Sequence, residues 1–256
     1  MIASFISKNK IALILSTCFL ILVWKIISLL LNSELILPSP EETFLSVLLV
    51  AGRKGFKETL MATLFRGAMG FSLSFFFGLI LGCAAGSARF FFNIFQPLVI
   101  TIKTVPILAV ILLAIIWLNT ELVPVFVCFL AVFPVIYSNV TEGIASVDRN
   151  LIEMARIYNL SRLETLKSIF IPSILSPLKA GTSIAIGLTW KAVIAAEVLC
   201  QPFNALGTRM AEAKINLDTS SLFAWTLIAI LLSSISELLL RLGSKFICWK
   251  KYGRRN

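Results

Sequence analysis

The sequence predicts an all-α polytopic membrane protein of about six transmembrane helices, and three observations carry that prediction. First, 58% of the 256 residues are hydrophobic and 14% are charged. A water-soluble domain of this length has no interior large enough for so much apolar surface. Second, the apolar residues fall in long unbroken runs near the ~20 residues that a helix needs to cross a hydrocarbon core. They lack the period-two alternation of a membrane barrel strand. Only helices and closed barrels satisfy their backbone in lipid, so helices are selected. Third, the basic residues gather at the chain ends and in short connections, as orientation in a membrane requires.

Each element follows in order. Lys8 and Lys10 precede the apolar run Ile11–Leu31. The run is too long for a signal-peptide core and no small-residue cleavage pattern follows it, so it is expected to be a retained first span. In Leu37-Pro-Ser39-Pro40-Glu-Glu42, Ser39 can cap a helix, Pro40 suits its first turn and Glu42 completes a capping box. Phe44, Leu45, Leu48 and Ala51 then line one side, and Gly52 can end a short helix lying at the membrane interface. The second span, Ala62–Ala85, begins a stripe of small residues at every fourth position: Gly70, Ser74, Gly78, Gly82 and Gly86. Such a stripe admits a second helix closely, either within one subunit or between two.

The third span, Ile94–Leu118, contains Lys103-Thr-Val-Pro106. Pro106 breaks a helix ladder, and Lys103 is costly in lipid. Either Phe90–Val105 is a bent entry with the true span starting near Pro106, or Lys103 lies deeper and lines a pathway; the first is favoured. The remaining spans are Leu122–Val140, Ile174–Leu199 and Ser221–Lys245. The whole chain, 1–256, reads as one transmembrane domain, with an extra span at 11–31, a core over about 60–245 and a cytoplasmic loop over about 148–172.

With the N-terminus inside, thirteen Lys and Arg fall on the cytoplasmic side and five outside, the other five lying within or beside spans. Both termini and the long polar segment around residue 150 are therefore expected in the cytoplasm. The net charge of +10 follows from this asymmetry; no basic face with interleaved aromatics exists for nucleic acid. Five scattered cysteines read as small hydrophobes. The absence of histidine removes the commonest general base and metal ligand, and no nucleophile–base set stands out. No phosphate-loop sequence is present, so the chain is not read as an enzyme and no cofactor is expected in it.

The most informative stretch is polar: Asn150-Leu-Ile-Glu153-Met-Ala155-Arg-Ile-Tyr-Asn159-Leu-Ser161-Arg-Leu-Glu164, running to Ile169-Phe-Ile-Pro172. Asn150 with Glu153, and Ser161 with Glu164, form two potential capping boxes. Asn159 between them can take the left-handed conformation that ends a helix. The local chemistry predicts a short helix, a sharp turn and a second short helix, closed by Pro172.

Glu153-Met154-Ala155, three residues, Asn159, nine residues, then Ile169-Phe-Ile171-Pro172 resembles the cytoplasmic motif of ABC importer permeases: Glu-Ala-Ala, three residues, Gly, nine residues, Ile-x-Leu-Pro. Met154, Asn159 and Ile171 depart from it, and Asn for Gly preserves the turn. Leu37-Pro-Ser-Pro40, Lys103-Thr-Val-Pro106, Gly187-Leu-Thr-Trp190-Lys-Ala-Val-Ile-Ala-Ala-Glu197 and Asn204-Ala-Leu-Gly207 are similar to segments of the nitrate/sulfonate/taurine-type branch. Lys191 stands where that branch typically has an apolar residue.

The resemblance implies a type I ABC importer permease fold with a cytoplasmic coupling helix, in a bacterial cytoplasmic membrane. It implies two ABC ATPase partners that carry ATP and Mg, a second and usually identical permease copy, and an extracytoplasmic solute-binding protein. It assigns ATPase coupling to Glu153, Ala155, Arg156, Tyr158, Asn159, Arg162 and Pro172. Lys103, Pro106, Trp190, Lys191 and Glu197 become candidates for the translocation pathway, since ionisable groups inside a membrane default to function. Trp190 can equally pack, Glu153 can equally cap, and Lys191 can equally pair or snorkel. The branch points to a small anion such as nitrate, a sulfonate, taurine or bicarbonate; vitamin precursors and aromatic compounds are carried by close relatives. A gradient-driven transporter or channel without an ATPase is the rival reading, and it leaves the doubly capped island without a purpose.

Overall fold

The structure, a computed structural model, describes residues 2–252, with side chains from 15 to 240 and at 242, Arg149 excepted. Its order is α1 (Ile2–Leu31), α2 (Pro40–Gly52), α3 (Phe56–Ser87), α4 (Arg89–Thr104), α5 (Ile107–Trp117), α6 (Val123–Ala145), α7 (Arg149–Ile157), α8 (Arg162–Thr165), α9 (Ile171–Cys200), α10 (Leu206–Ile215) and α11 (Thr219–Tyr252). No strand occurs among the described residues.

By length and composition four helices can cross a membrane: Phe56–Ser87, Val123–Ala145, Arg162–Cys200 and Thr219–Leu240. The pair α4 and α5 makes a fifth if the two are one broken span, and Leu15–Leu31 of α1 is a shorter apolar helix. The six expected spans correspond to these five and α1. The third is not straight: α4 and α5 meet at 99°, with Pro106 as the residue before α5. The eleven residues of α5 rise only about 16 Å, too short alone for a ~30 Å hydrocarbon core.

The chain divides into two compact units. The first holds α1, α2 and the segment Arg209–Ile230. There Trp24 stacks on Phe223 at 6.0 Å between ring centres and donates to the carbonyl of Pro38 at 3.1 Å. Phe56 stacks on Trp225 at 5.8 Å, Thr219 donates to the carbonyl of Leu35 at 2.8 Å, and Lys25 pairs with Glu41. Helix α2 has the expected capping box between Ser39 and Glu42. Phe44, Leu45 and Leu48 are exposed on it. Gly52 is its last residue, but the left-handed turn is made three residues later by Gly55, with φ +89°.

The second unit, Glu58–Thr208 with Leu231 onward, holds the main core. The small-residue stripe is consumed here, against α6. A Cβ on Gly70 would lie 2.7 Å from that of Cys128, on Gly78 2.8 Å from Ile136, on Gly82 2.9 Å from Val140 and on Gly86 2.7 Å from Ile144. The two helices run in step, and Ser74 donates to the carbonyls of Gly70 (2.7 Å) and Phe129 (3.3 Å). Of the two readings of the stripe, packing within the subunit is what this contact shows. Helix α9 packs on the neighbouring face of α6, where a Cβ on Gly181 would fall 2.6 Å from Asn139 Cγ. The side chain of Arg241 lies outside those described, and Arg254 and Arg255 lie outside the described residues.

Candidate functional site

The polar segment folds into the expected helix–turn–helix, with two corrections. The cap of α7 is Asp148, whose Oδ1 accepts from the amide of Asn150 at 2.9 Å. Asn150 is inside the helix, so Glu153 closes no capping box and its carboxylate is exposed and uncommitted among the described contacts. Asp lies two residues earlier and offers a charged acceptor to the helix N-terminus, which outcompetes the neutral amide of Asn. The turn is as expected: Asn159 sits at φ +52°, and the amide of Leu160 reaches back to the carbonyl of Ala155 at 2.9 Å.

Helix α8 carries the second capping box in full. Glu164 N donates to Ser161 Oγ at 3.3 Å and Ser161 N donates to Glu164 Oε2 at 2.9 Å. The Ser161 hydroxyl, which donates to Glu164 Oε2 at 2.7 Å, and then the Ser161 amide hold the Glu164 carboxyl below the usual carboxylate range.

The second correction concerns Pro172. It does not end the segment. Leu166–Phe170 form a π turn, α9 starts at Ile171, and Arg162–Cys200 is one apolar helical span of 39 residues. Proline has no N–H to give the preceding turn. At the second position of α9 that lack is absorbed by the widened turn, in which the Ile171 amide bonds the Leu166 carbonyl five residues back.

Within α7, Ala155 is the anchored residue at 2% exposure, while Met154 (45%), Ile157 (77%), Tyr158 (73%) and, beyond the turn, Leu163 (67%) stand free. Glu153, Arg156 and Arg162 are exposed around them. The assembly is a rigidly capped apolar knob with a charged rim.

The pathway candidates separate. Lys103 lies in the last turn of α4, where its Nζ donates to Ser138 Oγ of α6 at 2.7 Å, and it borders a cavity of about 230 Å³ at the α4–α5 elbow. Pro106 forms that elbow. Trp190 is buried with its ring against α3: a Cβ on Gly67 would be 2.7 Å from its Cζ3. It lines a separate cavity with Gly67, Thr189 and Ser236. Lys191 is exposed and makes no ion pair among the described residues.

Glu197 is fully buried, and sequence reasoning missed what surrounds it. Arg66 Nη1 donates to its Oε1 at 2.9 Å, Thr63 Oγ1 donates to both oxygens at 3.0 and 3.1 Å, and the Gly207 amide donates to Oε2 at 3.1 Å. Arg66 also donates to the carbonyl of Asn204 at 2.9 Å and, through Nε, to Glu121 Oε2 at 3.2 Å. Gln201 ends α9 at φ +47°, and the chain doubles back so that the Leu206 amide reaches Thr63 Oγ1 at 3.0 Å. Glu197 exposes no surface, so the pathway role expected of it would require this knot to open. The one available signal was a lone arginine and a lone glutamate in separate apolar runs, each needing a counter-charge.

A family model described as "Binding-protein-dependent transport system inner membrane component" matches residues 74–246. The chain is 27% identical over 224 residues to the taurine transport system permease protein TauC of Escherichia coli K12, covering 85% of this chain and 81% of that one. It is 31% identical over 206 residues to the putative aliphatic sulfonates transport permease protein SsuC of the same organism, covering 80% and 78%. It is 30% identical over 149 residues to the nitrate import permease protein NrtB of Leptolyngbya laminosa, covering 55% and 50%.

Proposed function

The chain belongs to the binding-protein-dependent transport system inner membrane components, and from that membership we propose where it meets its ATPase and what it carries. As a member it is the non-catalytic permease subunit of an ATP-driven ABC importer, whose ATPase and solute-binding protein are separate partners. ATP and its Mg ion sit on the ATPase. Two ATPases and two copies of this chain form the complex.

The coupling surface is α7 and the turn after it. One observation carries this assignment: a helix–turn–helix fixed at both caps presents Met154, Ile157, Tyr158 and Leu163 uncovered. Apolar side chains clustered on an exposed, rigid element mark a docking site. The charged rim of Glu153, Arg156 and Arg162 supplies orientation. Asn159 sets the turn, and Ala155 fixes α7 on its inner side. Pro172 lies where the turn flows into α9, so a push on the knob travels along one unbroken helix. Both termini and this knob face the cytoplasm, by the distribution of basic residues; the Arg66–Glu197 knot then lies toward the outer face.

The substrate is a small anion of the nitrate, sulfonate, taurine or bicarbonate kind. The transport roles of the relatives for taurine, sulfonates and nitrate support this, as do two lysines, Lys103 at the α4–α5 break and Lys191 in α9, without a carboxylate partner among the described residues.

The test is an affinity capture of the chain from native membranes in mild detergent, beside a Glu153→Arg variant, with co-purifying proteins identified by mass spectrometry. An ATPase held by the wild type and lost by the variant is the expected result. An ATPase held by both removes Glu153 from the contact, and no ATPase with intact wild type sinks the coupling surface.

A further inference from the structure

We propose that the cavity at the α4–α5 elbow is an anion-binding station on the transport path, with Lys103 as its charged contact, positioned by the hydroxyl of Ser138. The inference rests on the anionic substrate class given above and adds the place and the chemistry.

The cavity has a volume of about 230 Å³ and runs from Ile102 and Val105 at the elbow to Pro134 on α6 and Leu188 on α9. Lys103 is the only charged or hydrogen-bonding side chain in its lining among the described residues; the rest are aliphatic. An ammonium group has three N–H donors and no acceptor. Ser138 Oγ takes one at 2.7 Å, and none of the described ion pairs involves Lys103. Two donors are thus left beside a greasy cavity.

Lys103 is an exposed cation without a counter-charge in the last turn of α4, at the break before α5, and ionisable groups in membrane-crossing segments are kept where an ion visits. The contrast with Arg66 sharpens the point. That cation is enclosed and spends its donors on two carboxylates and a carbonyl, so it is spoken for by the fold, whereas Lys103 is not. The backbone contributes to the same field. Pro106 stops α4 and starts α5 without a side-chain cap, so the open N–H groups of α5 add positive potential at the elbow.

These features set the ligand class. One ammonium recognises one negative charge, and aliphatic walls offer nothing to a second charge. The volume lies below the ~300 Å³ at which drug-sized pockets begin. The occupant is a compact solute with a single anionic oxygen-bearing group, such as a sulfonate, a nitrate or a bicarbonate, its remaining atoms against Val and Leu side chains.

The complete transporter, reconstituted in liposomes with its ATPase and binding protein, tests this, with ethanesulfonate, nitrate and bicarbonate as the probes. The quantity read is anions moved per ATP hydrolysed at saturating binding protein. A purely structural defect lowers uptake and hydrolysis together and leaves that ratio alone. For a probe that the wild type carries, Lys103→Met is expected to lower the ratio at least fivefold, and Lys103→Arg to stay within twofold. A Lys103→Met complex that assembles with the ATPase and keeps the wild-type ratio overturns the station while leaving the importer intact. Should Lys103→Met not assemble, Ser138→Val is read instead: a ratio reduced twofold or more supports the station, and an unchanged one overturns it. A wild type that hydrolyses ATP but carries none of the three probes overturns the anionic class and the station with it.

Discussion

Arg66 and Glu197 are separated by 131 positions and nothing local connects them. Arg66 is the one charge in its apolar run, Ala62–Ala85, and Glu197 the one carboxylate in its own, Ile174–Leu199. A carboxylate this deeply enclosed is tolerated only because an arginine, a threonine hydroxyl and a backbone amide converge on it. Removing one partner therefore costs more than removing both. Arg66→Met is expected to destabilise the purified protein by about 3–5 kcal/mol, the cost of a buried charge left unpaired, and Arg66→Met with Glu197→Gln by less than Arg66→Met alone. Thermal unfolding in one detergent measures both. Gly207 is part of the same closure, since a Cβ there would lie 2.5 Å from Glu197 Cβ and 2.6 Å from the amide nitrogen of Val198. With backbone on one side there is no room to yield, and Gly207→Ala is expected to cost about 1–3 kcal/mol. At this scale the sequence marked Glu197 as unusual but assigned it to the pathway. It could not show that the Asn204-Ala-Leu-Gly207 segment folds back to supply the enclosing amides.

The elements were more legible, because caps and turns are decided within a few residues. The capping boxes at Ser39/Glu42 and Ser161/Glu164 and the left-handed Asn159 all follow from side chains bonding backbone three residues away or from tolerance of positive φ. The misplacement at α7 was also local: Asp148 and Asn150 are both good caps, and Asp148 takes the position. Asp148→Ala is accordingly expected to fray α7 at a cost of about 0.5–2 kcal/mol, whereas Asn150→Ala changes it little; hydrogen exchange of the α7 amides separates the two.

The Glu164 cap carries a pH dependence. Its folded carboxyl is depressed relative to the unfolded one, so its contribution is fully present above the unfolded value, near 4.5. It is lost as pH falls through the lower folded value. Amide chemical shifts of Ser161 and Glu164 followed from pH 7 downward should move only in that acid range in the wild type, and Glu164→Gln should abolish the transition. Pro172 was misjudged as a stop because proline's missing donor usually ends a ladder; here the π turn before α9 takes up the defect.

Across the molecule, Arg162–Cys200 is continuous, so the exposed capped turn and the turn that encloses Glu197 are ends of one helical span. The glycine stripe shows the same dependence on context. Its spacing announced a close helix contact, and only the packing of α3 in step with α6 named the partner. Gly78→Leu is expected to force those helices apart and destabilise the monomer by about 1–3 kcal/mol or more, read as a lowered unfolding temperature of the chain purified alone.

What the sequence by itself determined is whatever composition and short-range chemistry control: an all-helical membrane protein, the approximate spans, the break at Pro106, the capped turn at residues 148–165 and the family whose motif that turn carries. What tertiary structure alone decided is which distant groups meet: Arg66 with Glu197, Lys103 with Ser138, the glycine stripe with α6. The physical reason is range. A cap or a hydrophobic run is satisfied within a few residues of the chain. A buried charge or a small-residue face is satisfied by whichever surface the folded helices bring to it, and no local pattern specifies that surface.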